Sequence, residues 1–181
     1  MLRSGKIFAV AGLIAASSLI WGVGSANAGT PLPGTAFAVG AGTAVDSNSN
    51  KVFKVAAFQD PAGGAHGYVF EEQHSAPYGD FTLQGPVDCL SIVGRTAYVG
   101  LRIAQSTGTA AAHQGERFVI EVEDNGLLGA GDRFDNSGFT DPAGCDSSSQ
   151  ATPPGQHLTL GDVAVSTGPS DHGPEDSDDD N

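Results

Sequence analysis

Acidic and amide side chains crowd one stretch of this chain: Glu121-Val122-Glu123-Asp124-Asn125-Gly126, followed by Gly131-Asp132 and by Asp135. Hard cations such as calcium need several oxygens converging around a sharp turn. Glu121, Glu123, Asn125, Gly126 and Asp132 stand at the first, third, fifth, sixth and twelfth positions of a helix-loop-helix calcium loop. Three features depart from that pattern. Glu replaces the shorter Asp early in the loop, Asp replaces the bidentate Glu at its end, and the residues before it read as strand rather than helix. The plainer account of Asp124-Asn125-Gly126 is turn chemistry after a strand, with Asn and Gly accepting positive φ. Glu121, Glu123, Asn125 and Asp132 are the metal candidates; no bound cofactor is expected.

Other reactive side chains form no pattern that chemistry requires. His66, His74, His113, His157 and His172 have no metal-ligand spacing and read as loop or solvent-facing residues. The sequence contains no Gly-x-Ser-x-Gly elbow, no His-Glu-x-x-His and no phosphate-cradling loop. Glu71 and Glu72 are adjacent, and adjacent strand residues point to opposite faces, so they cannot act jointly on one bond. No catalytic residue is expected.

Cys89 and Cys145 are the only cysteines. An even count in an exported chain favours a disulfide, the alternative being a reactive thiol. Such a bridge would remove unfolded-state entropy worth about 4 kcal/mol.

The elements that hold these residues read as strands. Short runs rich in Val, Phe, Tyr and Ala are separated by Gly, Pro, Asn and Asp clusters, and no segment sustains a helical apolar period. Strands are predicted near 36–45, 52–58, 66–72, 80–84, 87–93, 96–104, 116–123 and 158–165. Phe118, Ile120 and Val122 alternate with Val119, Glu121 and Glu123; Phe53, Val55 and Ala57 alternate with Lys54 and Ala56. Ala38, Gly40 and Gly42 leave one face of the first strand nearly bare, which invites a close backbone or large side chains opposite.

The best-defined hairpin turns at Gly94-Arg95. It is predicted to pair Ile92 with Ala97, Leu90 with Val99 and Asp88 with Leu101, leaving Cys89 on the opposite face beside Gly100. A long Asp-, Ser-, Gly- and Pro-rich connection, residues 134–156, carries Cys145 and needs a tether to be ordered. The expected fold is a single antiparallel all-β domain of seven to eight strands, barrel or sandwich, with one disulfide and a long acidic loop.

The chain ends set its compartment. Arg3 and Lys6 precede an apolar stretch, residues 7–23, and Ser25-Ala26-Asn27-Ala28 matches a signal-peptidase site. The expected organisation is a leader at 1–28, a Pro/Gly linker at 29–35, the β domain at 36–168 and a disordered acidic tail at 169–181. The leader would carry away Trp21, the only tryptophan, and Met1, the only methionine. The formal charge is −13, and loss of Arg3 and Lys6 would move it to about −15. Such a surface repels nucleic acid and anionic lipid and attracts cations, basic peptides or cationic polymers.

Two segments carry a family resemblance. Gly85-Pro86-Val87-Asp88-Cys89-Leu90-Ser91-Ile92-Val93-Gly94-Arg95-Thr96-Ala97 resembles the G-x-V-x-C-L-x-V-x-G-N-x-A segment of small secreted β domains of actinobacteria. Residues 115–134, from Phe118 through Asp124-Asn125-Gly126 to Asp132 and Phe134, are similar to their G-x-x-F-x-V-x-D-N-G-x-x-G-x-x-D-x-F segment, and Gly161-Asp162-Val163 fits their closing strand. Arg95 departs from their turn Asn. The resemblance implies an exported β fold with a Cys89–Cys145 pairing, and it brings no established activity. The expected function is a secreted or envelope-associated, non-catalytic binding or structural module for an extracellular or envelope ligand, without stable membrane insertion after cleavage. The alternatives are a small-ligand-binding barrel and a divalent-cation-stabilised module.

Overall fold

A computed structural model describes residues 35–77, 79–126, 129, 131–140, 145 and 155–168. The leader, most of the linker, the acidic tail and most of the long connection around Cys145 lie outside the described residues. Nine strands run β1 (Ala36–Val45), β2 (Ser49–Gln59), β3 (Ala65–Ser75), β4 (Phe81–Val93), β5 (Thr96–Arg102), β6 (Gln105–Gly108), β7 (Arg117–Glu123), β8 (Arg133–Thr140) and β9 (Gln156–Ser166). A 3-10 turn spans Ala111–His113.

All pairings are antiparallel, and the strands meet their neighbours in chain order. β9 returns to pair with β1, so the sheet closes on itself. The result is an eight-stranded up-and-down barrel, with β6 continuing the path of β5 along the other edge of β4. Closure removes the exposed sheet edges that would otherwise invite pairing with another chain.

The inward positions follow from period-two alternation. Phe53, Val55, Ala57, Val69, Leu83, Val99, Leu101, Ile120, Val122 and Phe134 fill the interior. An eight-stranded barrel is just wide enough for its own side chains. The bare face of β1 is explained by that crowding. Gly42 lies opposite Phe53, whose ring would stand 3.1 Å from any Cβ there. The Phe53 ring stacks instead on Phe134 across the barrel, with centroids 4.1 Å apart.

The hairpin turns at Gly94-Arg95 as expected, with Gly94 at φ +62°. Ile92 faces Ala97 and Leu90 faces Val99. The expected Asp88–Leu101 pair does not form. A bulge between Val87 and Cys89 places Val87 opposite Leu101. The substitution is favourable because Val87 is buried in the core cluster, whereas Asp88 turns to Arg117, whose Nη2 donates to Oδ2 at 2.8 Å. Cys89 lies opposite Gly100 and bonds to Cys145, with Cα atoms 5.9 Å apart. Both sulfurs occupy the space that a side chain at position 100 would need.

β2 and β3 run past their expected bounds of 52–58 and 66–72, to Ser49–Gln59 and Ala65–Ser75, and three further readings differ. The strands expected at 80–84 and 87–93 are one strand, β4, which changes partners at Pro86: residues up to Pro86 pair with β3, those from Val87 with β5. Pro86 lacks the N–H that a continued two-sided ladder would need. The strand expected at 96–104 stops at Arg102 and resumes as β6. β8 was expected to be loop. Its Asp, Asn, Ser and Gly have low strand propensity, and a bulge opposite Val119 and Ile120 breaks the alternation.

The barrel has a seam. Among the described residues β8 and β9 share only the pairs Arg133–His157 and Phe134–Gln156, and the Leu158 N–H donates to the Asp132 carbonyl at 2.8 Å. Carboxylates supply further acceptors there. Asp132 Oδ2 accepts the Val163 N–H at 3.0 Å, Asp124 Oδ2 accepts that of Val165 at 3.2 Å, and Asp135 Oδ2 accepts that of Gly155 at 3.2 Å.

Candidate functional site

Successive layers across β2 and β3 change character along the barrel axis. Ala57 faces Gly67 and Val55 faces Val69 in the apolar end. Phe53 then faces Glu71, Lys51 faces Gln73, and Ser49 faces Ser75 at the rim. The same inward phase that builds the core thus carries Lys51, Glu71, Gln73 and Ser75 inside, all of them buried.

The polar layer is held by paired contacts. Lys51 Nζ donates to Asp135 Oδ1 at 2.7 Å and lies 5.9 Å from the Phe134 ring centroid. Asn136 Nδ2 donates to Glu71 Oε1 and, at 3.1 Å, to Gln73 Oε1. Glu71 is wholly enclosed, and burial pushes its carboxyl up to about 7, against the lowering influence of the Asn136 hydrogen bond and the Lys51 charge. Its Oε2 has no hydrogen-bond partner among the described residues.

Above this layer opens a cavity of about 740 Å³ at the barrel mouth. One side is polar, with Asp46, Ser49, Lys51, Ser75, Asp135 and Gln156 on its wall. Asp46 caps the β1–β2 turn by accepting the backbone N–H groups of Asn48 and Ser49, each at 2.7 Å. Those bonds hold its carboxyl below the usual carboxylate range. Its Oδ2 also accepts Gln156 Nε2 at 2.6 Å, and the same amide reaches Ser49 Oγ at 3.1 Å. The other side is aromatic. Phe81 meets Phe118 edge-on at 6.2 Å, Phe118 meets Phe139 edge-on at 5.2 Å, and His113 stacks behind Phe139 at 3.7 Å. Ser75 Oγ and Gln156 Oε1 are buried on this wall without partners among the described residues. Buried polar atoms are seldom left unsatisfied. A cavity of a few hundred cubic ångströms, part apolar and part polar with atoms left to satisfy, has the form of a small-molecule seat.

The metal candidates lie elsewhere on the barrel. Asn125 and Asp132 are brought together: the Asn125 N–H donates to Asp132 Oδ1 at 2.8 Å. Both oxygens of Asp132 are therefore engaged by backbone N–H groups, one on each side of the seam. Glu121 and Glu123 stay on β7, Glu121 facing Asp135 and Glu123 lying 3.8 Å from Arg133. Burial and the Asp135 charge push the Glu121 carboxyl up to about 7. Among the described residues, no three carboxylate, histidine or cysteine side chains gather as a metal set. Gly126 N–H bonds Asp124 Oδ1 at 3.0 Å, which is the turn chemistry expected there.

His66 and His74 lie on the outer face of β3, His74 between Glu72 and Asp80, whose carboxylates hold its pKa above the usual value. His113 is the exception, since it backs the aromatic wall of the mouth. Lys51, Gln73 and Asn136 were not singled out from the sequence; Asp135 was noted only as the end of the acidic stretch, and Glu71 only as a dismissed pair with Glu72. The alternation in β2 contains the signal for Lys51, two residues before Phe53 in the same phase, and that in β3 contains it for Glu71, two residues after Val69.

No protein-family model, curated protein or solved structure matches this chain.

Proposed function

We propose that the protein is an exported, non-catalytic binding barrel whose ligand seat is the mouth cavity. The observation that carries this is the 740 Å³ opening, aromatic on one side, with Ser75 Oγ and Gln156 Oε1 buried on its polar side and unsatisfied. A barrel whose role was structural alone would be expected to close its end with apolar side chains, as it does around Val55 and Val69.

Binding rather than turnover is favoured by the position of Glu71. Its carboxyl has the pKa of a useful general base, but it does not line the cavity; Gln73 and Asn136, which hold it, do. A general base must come within hydrogen-bond reach of the proton it takes. Export, to the medium or the envelope, is supported by the leader pattern and by the Cys89–Cys145 bridge, a bond that persists in oxidising compartments. The resemblance to small secreted actinobacterial domains agrees with that placement. With a leader removed and a strongly acidic surface, nucleic acid and membrane insertion are poor partners.

The test is recovery of the protein from culture medium. Mass spectrometry is expected to find a chain beginning at Gly29 with no reducible mass difference beyond one bridge. Its fluorescence is expected to be that of tyrosine without tryptophan emission, and denaturation should release a bound small molecule. An intact leader, two thiols, or a preparation that releases nothing and binds no member of a small-molecule library would contradict the proposal.

A further inference from the structure

We infer that the mouth cavity takes a small primary ammonium compound with an apolar, ring-sized body, the ammonium on the Ser75–Gln156 side and the body on Phe81, Phe118 and Phe139. This rests on the reading of the mouth as the ligand seat and specifies what it binds.

Three observations converge on a cation that donates. The unsatisfied wall atoms are acceptors: Gln156 Oε1 can only accept, and the Ser75 hydroxyl can accept. Ser75 is 7% exposed and lines the cavity, and its hydroxyl oxygen is enclosed. The two residues meet at Ser49, which pairs with Ser75 across β2 and β3 and whose Oγ receives the Gln156 amide. An ammonium group carries several N–H donors on one small centre, which is what clustered acceptors require.

The charge balance agrees. Asp46 and Asp135 stand on the wall with only one cation between them, and that cation, Lys51, already donates to Asp135 at 2.7 Å. An anion would therefore meet a net negative wall, and a chain of net charge −13 steers cations toward it. On the aromatic side Phe139, 38% exposed, supplies most of the open apolar area, backed by the buried Phe118. A wholly apolar ligand is disfavoured, because it would bury the serine and glutamine oxygens without replacing their lost water.

Titration calorimetry on the full secreted chain with three probes of one shape separates the alternatives: benzylammonium, benzyl alcohol and benzoate. Benzylammonium is expected to bind at one site, about tenfold or more tighter than benzyl alcohol, with benzoate silent. Ser75→Ala is expected to weaken benzylammonium about fivefold, and Phe139→Ala to weaken benzylammonium and the alcohol alike. Equal affinity for alcohol and ammonium, or a preference for benzoate, would overturn the ammonium assignment while leaving the seat intact. Silence of all three probes would overturn the ammonium assignment, and silence of a wider small-molecule library as well would remove the seat. Non-saturating benzylammonium binding untouched by either variant would mean attraction to the acidic surface only, and would also overturn the assignment.

Discussion

Glu71 shows how a single residue can be legible in phase and illegible in role. Alternation already required that one of Glu71 and Glu72 face inward, and Glu71 does, beside Val69 in the core phase. What the sequence lacked was its company: Lys51 comes from the paired strand β2, and Asn136, 65 residues away on β8, reaches Glu71 only because the barrel closes. The consequence is a measurable pH dependence. With its carboxyl pushed from 4.5 to about 7, the folded chain retains a proton that the unfolded chain has released. This contribution to stability is complete below about pH 4.5 and is lost as pH rises through 7, amounting to about 3 kcal/mol. Glu71→Gln keeps an oxygen for Asn136 and removes the ionisation. Thermal melts from pH 5 to 8 are expected to show the variant gaining on the wild type as pH rises, with a melting temperature several degrees higher at pH 8. Parallel curves would mean that Glu71 is not held neutral.

Among the elements, strands with strong β-branched or aromatic alternation were readable and those without it were not. β1, β2, β5 and β7 declare themselves through runs such as Phe53-Lys54-Val55-Ala56-Ala57 and Phe118-Val119-Ile120. β8 does not, because Asp135-Asn136-Ser137-Gly138 spell a turn locally and become strand only through pairing with β7. The acidic stretch that suggested a metal loop is instead understood as seam chemistry. Asp132 is fully buried and spends both oxygens on the N–H groups of Asn125 and Val163, joining the β7–β8 turn to β9 where the ladder fails. Asp132→Ala would strand two buried donors, and urea unfolding is expected to show a loss of about 3 kcal/mol. A loss near zero would show that the seam is held by the backbone alone.

For the molecule as a whole, the class of fold was legible and its closure was not. Short alternating strands fix an antiparallel all-β domain, but barrel and sandwich share that pattern, and the choice depends on β9 finding β1. The cysteine pair was readable from compartment and hairpin geometry, since Gly100 leaves room for both sulfurs beside Cys89. The gradient along the axis, from Val55 and Val69 through Phe53 and Glu71 to Ser49 and Ser75, gives the barrel one apolar end and one polar end with a cavity. Amide NMR of the isotope-labelled chain, titrated with benzylammonium, locates the occupant most directly. Saturable shifts are expected at Ser49, Ser75, Asn136 and Gln156, with Ala57, Gly67 and the outer residue His66 unmoved. Shifts at the apolar end, or spread over the outer wall without saturation, would contradict a seat at the mouth.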